Sequence, residues 1–144
     1  MPQKTVEFEI VTPERIVFRG EVLQVTIPTK AGEITVLPEH IPLISILKPG
    51  VIEIKTQEKD KEIVAVSGGF IEVLKDKIVI LADTAERAEE IDIEKAEEAI
   101  KRAEKIKIDG IHKDNVDFAD ITIKIEKELA RSTAVKRWRK IKNI

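Results

Sequence analysis

The chain has no cysteine and only two histidines among its 144 residues. Without cysteine there is no disulfide, thiol nucleophile or cysteine-ligated zinc, and two histidines leave few ligands for any transition metal, so no metal site is expected. Aromatic residues make up only 3% of the chain, which removes the stacking platforms that single-stranded nucleic acid needs. No apolar run approaches the length of a membrane span. The opening Met-Pro-Gln-Lys-Thr-Val-Glu also lacks the apolar stretch of a signal peptide, so a soluble, cytoplasmic protein is expected. Motifs of covalent and phosphate chemistry are missing too. Ser67-Gly68-Gly69-Phe70, the only glycine pair, has neither Gly-x-Gly-x-x-Gly spacing nor a following Gly-Lys-Ser/Thr, and a tight turn or bulge is expected there. Neither Gly-x-Ser-x-Gly nor His-Glu-x-x-His occurs, and no catalytic residue is assigned.

What the chain does have is charge and aliphatic side chains. Charged residues are 36% of the sequence, rich in Lys and Glu, yet the net charge is only -2. Scarce Asn, Gln, Cys and Met beside such a balance is the signature of a heat-adapted protein built on ion-pair networks. Hydrophobic residues at 42% suffice for a packed core in one ordinary domain or two very small ones.

Two halves differ in period. From residue 4 to about 83 apolar residues alternate between closely spaced turns. Val6, Phe8 and Ile10 share a strand face, and Leu23, Val25 and Ile27 share another, expected to end at Pro28. Pro49-Gly50, Glu58-Lys59-Asp60-Lys61 and Lys75-Asp76-Lys77 are turns between further short strands. The expectation is a flattened β-sandwich or barrel over residues 1–84.

From about residue 85 the period becomes helical. Ile93, Ala96, Ala99, Ile100, Ala103 and Ile106 form one stripe with Asp92 as N-cap, and Gly110 breaks it. After Asp114-Asn115 a second helix is expected to carry Phe118, Ile121, Ile125 and Leu129 on its apolar face. Alanines on the first stripe allow close approach, so residues 85–144 should form an antiparallel two-helix hairpin. With one stripe per helix its docking on the β domain should be marginal, and it could detach.

Two stretches carry candidate chemistry. Glu39-His40, between Pro38 and Pro42, pairs an imidazole with a carboxylate, an arrangement that can shuttle protons or bind metal. His112 lies in the charged link between the helices and should be solvated. Arg131 to Lys142, RSTAVKRWRKIK, holds six basic residues, no acidic one and the only tryptophan. It would suit an acidic protein, a nucleic acid or an anionic membrane; a solvated helix end is the plain alternative.

The run Gly-Glu-Ile-Thr-Val-Leu-Pro-Glu-His-Ile-Pro-Leu (32–43), then Leu47-Lys48-Pro49-Gly50, Val66-Ser67-Gly68-Gly69-Phe70-Ile71-Glu72-Val73 and Leu81-Ala82-Asp83-Thr84-Ala85-Glu86-Arg87-Ala88, resembles the epsilon subunit family of F-type ATP synthase, over essentially the whole chain. The resemblance implies a non-catalytic rotor subunit of the central stalk, peripheral at the cytoplasmic face of the membrane, bound to the gamma subunit and resting on the c-ring. It places Glu33 and His40 at the c-ring interface. It also implies a hairpin that is compact against the sandwich or extended toward the alpha and beta subunits, restraining ATP hydrolysis through Arg131, Lys136, Arg137, Arg139 and Lys140. No cofactor is required, and ATP enters as a candidate weak regulatory ligand of the compact form. The family's Ile/Leu-Asp-x-x-Arg-Ala reads here Ile91-Asp92-Ile93-Glu94-Lys95-Ala96, and Glu86, Arg102, Lys127 and Arg131 complete the set. Lys95 in the arginine's place keeps the charge but loses the planar fork, which weakens any such site. The competing function is a stand-alone binding module with a basic nucleic-acid-binding tail, opposed by the pI of about 5.8 and the lack of aromatics.

Overall fold

A computed structural model of the chain describes residues 4–58, 61–110 and 118–144. Ten strands come first: β1 (Val6–Val11), β2 (Ile16–Val22), β3 (Gln24–Thr29), β4 (Gly32–Val36), β5 (Leu43–Leu47), β6 (Gly50–Lys55), β7 (Glu62–Val66), β8 (Gly69–Val73), β9 (Lys77–Ala82) and β10 (Ala85–Arg87). A 3-10 turn, Ala88–Glu90, leads to helices α1 (Ile93–Asp109) and α2 (Phe118–Lys142). The expected β-sandwich followed by two helices is the observed architecture. The tip residues Lys59 and Asp60, the link residues Asp114 and Asn115, and His112 lie outside the described residues.

The strands run in the order β10-β7-β6-β3-β5-β8-β9-β1-β2, with β4 on β3, and only β1 and β9 are parallel. Alternation places one side chain in two on the inner face, so Phe8, Ile10, Ile27, Ile52, Ile54, Ile71, Ile78 and Ile80 are fully buried in a single core. The rings of Phe8 and Phe18 meet there at 5.7 Å.

Pro28 does not end β3 as expected; the strand runs on to Thr29. At this point β3 changes neighbour, from β6 (Gln24–Thr26) to β5 (Thr29 opposite Leu47), so the sheet asks for no N–H from residue 28. Its carbonyl still accepts from the Lys48 N–H at 3.2 Å. The Gly68-Gly69 pair is a strand entry, as expected of a turn or bulge. Both residues have φ above +130°, and a Cβ on Gly69 would lie within 3 Å of the β9 backbone.

Two strands are buried on both faces. Val51 on β6 and Ile63 and Ala65 on β7 point away from the inner core and are covered by α2, in a second cluster with Ala88, Ile91, Ala130, Ala134 and Val135. The unbroken run Ile63-Val64-Ala65-Val66 reflects this, because a strand with a single buried face alternates. On α1 the Asp92 carboxylate accepts from the Lys95 N–H at 3.2 Å, the expected N-cap, and Gly110 is the C-cap.

The expected apolar face of α2 needs correction. Phe118 and Leu129 are exposed, Ile121 and Ile125 only half-buried, and the buried face is Ala130, Ser132, Ala134 and Val135. Residues of the first half of α2, Ile121 and Lys124, line a cleft with α1, whereas Ala130, Ala134 and Val135 pack on the sheet, so the strongest burial falls where the sequence offers small residues.

Candidate functional site

Four surfaces gather the candidate residues. The first lies on the outer face of β5, β8, β9, β1 and β2. Register aligns Ile46, Phe70, Leu81, Val11 and Ile16 in one row across these five strands. Ile46 is 44%, Phe70 55%, Leu81 56% and Ile16 47% exposed. The neighbouring row carries an ion chain: Arg19 reaches Glu9 at 2.8 Å, and Lys77 reaches Glu9 at 3.1 Å and Glu7 at 3.8 Å. The Arg19 guanidinium, and after it the Lys77 ammonium, hold the Glu9 carboxyl below the usual carboxylate range. A continuous apolar row rimmed by charge suits a protein partner. Sequence reading missed this row. Its signal is the excess of apolar residues on both parities in LISIL and KIVILA.

The second is the turn Leu37-Pro38-Glu39-His40. Glu39 has φ 66°, and the His40 N–H donates to the Leu37 carbonyl at 3.2 Å, the pattern of a turn with proline at its second position and a left-handed third residue. Glu39 engages Lys4 at 3.2 Å, while His40 Nδ1 donates to the Ile41 carbonyl at 2.7 Å. The neighbours are therefore committed elsewhere and do not form an acid–base pair. Glu33 is exposed on β4 opposite Pro28, near the β3–β4 turn, whereas His40 lies past the other end of that strand. Three residues at about 3.3 Å each put the end of β4 about 10 Å from Glu33, and the turn that carries His40 lies past that end, so the structure does not bring the two together.

The third is a cleft of about 520 Å³ between the helices, lined by Lys95, Arg102, Lys124 and Arg131, with Glu128 and the apolar Ala99, Ala103, Ile106 and Ile121. Lys95, Arg102 and Lys124 take part in no ion pair among the described residues. Of the other residues in the sequence-derived nucleotide set, Glu86 contacts Arg131 from β10, Asp92 caps α1, Ile91 and Ala96 are buried in packing, and Lys127 is not among the cleft-lining residues.

The fourth is the basic end of α2. Arg131 Nη1 donates to Glu128 at 2.9 Å and Nη2 to Glu86 at 3.2 Å; Nε is also 3.2 Å from Glu86 but off line for a hydrogen bond. Burial opposes the Arg131 charge, but the Glu128 hydrogen bond and the Glu86 charge outweigh it, and the guanidinium holds its proton more firmly than usual. Arg137 reaches Glu53 on β6 at 3.2 Å, and Lys136 lies 3.8 Å from Glu97 on α1. Arg139 and Lys140 are exposed and in no ion pair among the described residues.

Comparison with known proteins points one way. A family model described as ATP synthase, delta/epsilon chain, beta-sandwich domain, matches residues 5–88. The ATP synthase epsilon chain of Moorella thermoacetica is 50% identical over 101 residues, 70% of this chain and 75% of the relative. That of Chloroflexus aggregans is 42% identical over 126 residues, 88% of each chain. A chain of the Euglena gracilis mitochondrial ATP synthase, in an assembly that includes the c-ring, superposes with a TM-score of 0.78 at 25% identity, covering 94% of this chain and 83% of its own. A chain of the Tetrahymena thermophila mitochondrial ATP synthase central stalk and c-ring, at 13% identity and a TM-score of 0.55, shares the fold, covering 95% and 98%.

Proposed function

Because the chain belongs to the ATP synthase delta/epsilon family, as an epsilon chain of that enzyme complex, we propose that it is a non-catalytic rotor subunit joining the gamma subunit to the c-ring. The observation that carries this reading is the exposed row Ile46–Phe70–Leu81–Val11–Ile16, on strands the hairpin leaves uncovered. Gamma docks on this row, with the Arg19–Glu9–Lys77 chain fixing register at its rim. Placing a charge at its centre, Phe70→Glu, should weaken gamma binding by about 30-fold or more, as for a buried interface anchor. Unchanged affinity with the sandwich folded would discard the row as the gamma face. Among the described residues no helix is long and apolar enough to cross a membrane, in keeping with peripheral attachment to the complex.

Three finer roles complete the proposal. Glu33, on β4, and His40, in the turn that follows it, meet the c-ring at separate points; Glu33→Arg with His40→Glu should impair coupling of proton flow to ATP synthesis in a normally assembled complex. The interhelical cleft takes ATP weakly through Lys95, Arg102 and Arg131, and calorimetry without heat at millimolar ATP would remove it. Residues 1–84 bind the stalk while the hairpin region, 85–144, regulates. In its extended state Arg131, Lys136, Arg137, Arg139 and Lys140 restrain hydrolysis against the alpha and beta subunits, and replacing all five by alanine should release the restraint. The rival nucleic-acid module would show DNA affinity falling steeply with salt. Three of those cations are already paired within this chain, which disfavours that rival.

A further inference from the structure

A second cleft, of about 610 Å³, lies between α2 and the ends of β3, β4 and β6, separate from the one between the helices. Its size is that of a small-molecule site, about 300–1,000 Å³. We propose that it binds a singly charged anionic amphiphile, a carboxylate or phosphodiester head on one aliphatic chain. The head sits on Lys30 and Lys48, and the chain lies along Pro28, Val51 and Leu129. The inference is independent of the rotor reading above.

Register brings the two lysines together. Thr29 pairs with Leu47, and both side chains point into the core. The Lys30 N–H donates to the Ile46 carbonyl at 3.0 Å and the Lys48 N–H to the Pro28 carbonyl at 3.2 Å. Lys30 and Lys48 therefore share the outer face on diagonal positions, with Cα atoms about 7–8 Å apart, close enough for two long side chains to hold one head group. Both are exposed and in no ion pair among the described residues. Beside them the floor is apolar. The Pro28 ring lies on Gly50, where a Cβ would come to 3.0 Å of it, and Val51 continues the surface. The facing wall is one side of α2, Glu126, Leu129, Ala130, Thr133 and Arg137, at spacings of three and four. Leu129, left 47% exposed by the packing of that helix, supplies the apolar contact on this wall.

Charge selects the head. Arg137 is already engaged by Glu53 at 3.2 Å. What remains in the lining is Lys30 and Lys48 against Glu33 and Glu126, whose formal charges cancel. Glu33 and Lys48 flank Pro28 on opposite sides, two strand spacings or about 10 Å apart, so the carboxylate does not occupy the lysine pair. A single negative charge fits between the lysines, whereas a polyphosphate would meet two carboxylates with no surplus of cations. The interhelical cleft is the reverse case: Lys95, Arg102 and Lys124 are unpaired there, and its one carboxylate, Glu128, is held by Arg131. The two clefts therefore suit different ligands.

The test is calorimetry on the full chain, with decanoate below its micelle concentration as the probe. Saturable binding at one site is expected, and acetate at the same concentration should give none, because the aliphatic chain supplies the burial. Lys30→Glu with Lys48→Glu should weaken decanoate by about tenfold or more, the loss of a charge-assisted contact. Leu129→Asn should weaken it by about threefold. Lys95→Ala with Arg102→Ala, in the other cleft, should leave it unchanged. All five positions are exposed, so the fold should survive each change, and circular dichroism checks that it does. No heat at millimolar decanoate, equal affinity in the double lysine variant, or loss of binding in the Lys95 and Arg102 variant overturns the site. Titration with vesicles of phosphatidylglycerol separates a free amphiphile from a bilayer. Binding to decanoate and not to vesicles upholds the cleft, and binding to vesicles alone overturns it.

Discussion

The two apolar clusters of this molecule are built from different side chains, and the difference separates what is permanent from what can move. Inside the sandwich the core is mainly isoleucine, valine, leucine and phenylalanine from β1 to β9, with Ala82 and Ala85 the only alanines, most of it with no solvent exposure. Between the sheet and α2 the cluster is smaller and half of it is alanine: Ala65, Ala88, Ala130 and Ala134. Burying a methyl group yields a fraction of what burying an isoleucine does, since stabilisation scales with apolar area at about 25 cal/mol per Å². Ion pairs rim the second cluster, and pairs with this much exposure are each worth about 0–1 kcal/mol. One interface holds the fold; the other holds a position.

The strongest way to probe this contrast is Phe8→Ala in the inner core. It should cost about 3–5 kcal/mol of global stability in urea unfolding, because a fully buried ring is lost and its partner Phe18 is left against a cavity. A loss under 1 kcal/mol would mean that the core is not close-packed there. Next comes Ala134→Leu, which overfills the second cluster. About 1–3 kcal/mol should be lost from helix docking, seen as faster exchange in α2, while the unfolding midpoint of the sandwich stays put. A matching fall in that midpoint would show the two clusters to be one cooperative unit.

Smaller again is Asp92→Ala, which removes the α1 cap and should cost about 1 kcal/mol, read as fraying of the first turn with α2 unaffected. The smallest effect belongs to Glu9→Gln. Its carboxyl titrates lower in the folded chain than in the unfolded one, so its contribution is present above the ordinary carboxylate value. That contribution is lost as pH falls through the depressed value. The variant should therefore show a shallower loss of stability below about pH 4 than the unaltered chain. Equal acid limbs would remove the Arg19–Glu9–Lys77 chain from the stability of the outer face.

Much of this was legible because it is local. Strand alternation, the change of period near residue 85, the Asp92 cap and the breaking role of Gly110 all depend on neighbours within a few positions. The route of β3 through Pro28 was not, since a proline is tolerated only where the sheet leaves its nitrogen unpaired, and that depends on β5 and β6 arriving from elsewhere. The face of α2 was misread for a related reason. Phe118, Ile121, Ile125 and Leu129 are a sound helical stripe, but burial went to Ala130, Ala134 and Val135 because the sheet lies under that part of the helix.

The candidate sites divide the same way. The sequence alone determined that Arg131 to Lys142 is a basic helix end, that Lys95 stands where the resembling family has arginine, and that no histidine or cysteine cluster exists for a metal. Composition and spacing carry those facts whatever the fold. Only the tertiary structure decided that Glu39 and His40 are committed to different partners, and that Glu33 lies near one end of β4 while His40 lies in the turn past the other. It alone joined Ile46, Phe70, Leu81, Val11 and Ile16 into one row, and set Glu53 and Glu86 against cations 84 and 45 residues away. Such juxtapositions come from strand order and register, which the whole chain settles at once by burying its inner face, so no window of neighbouring residues contains them.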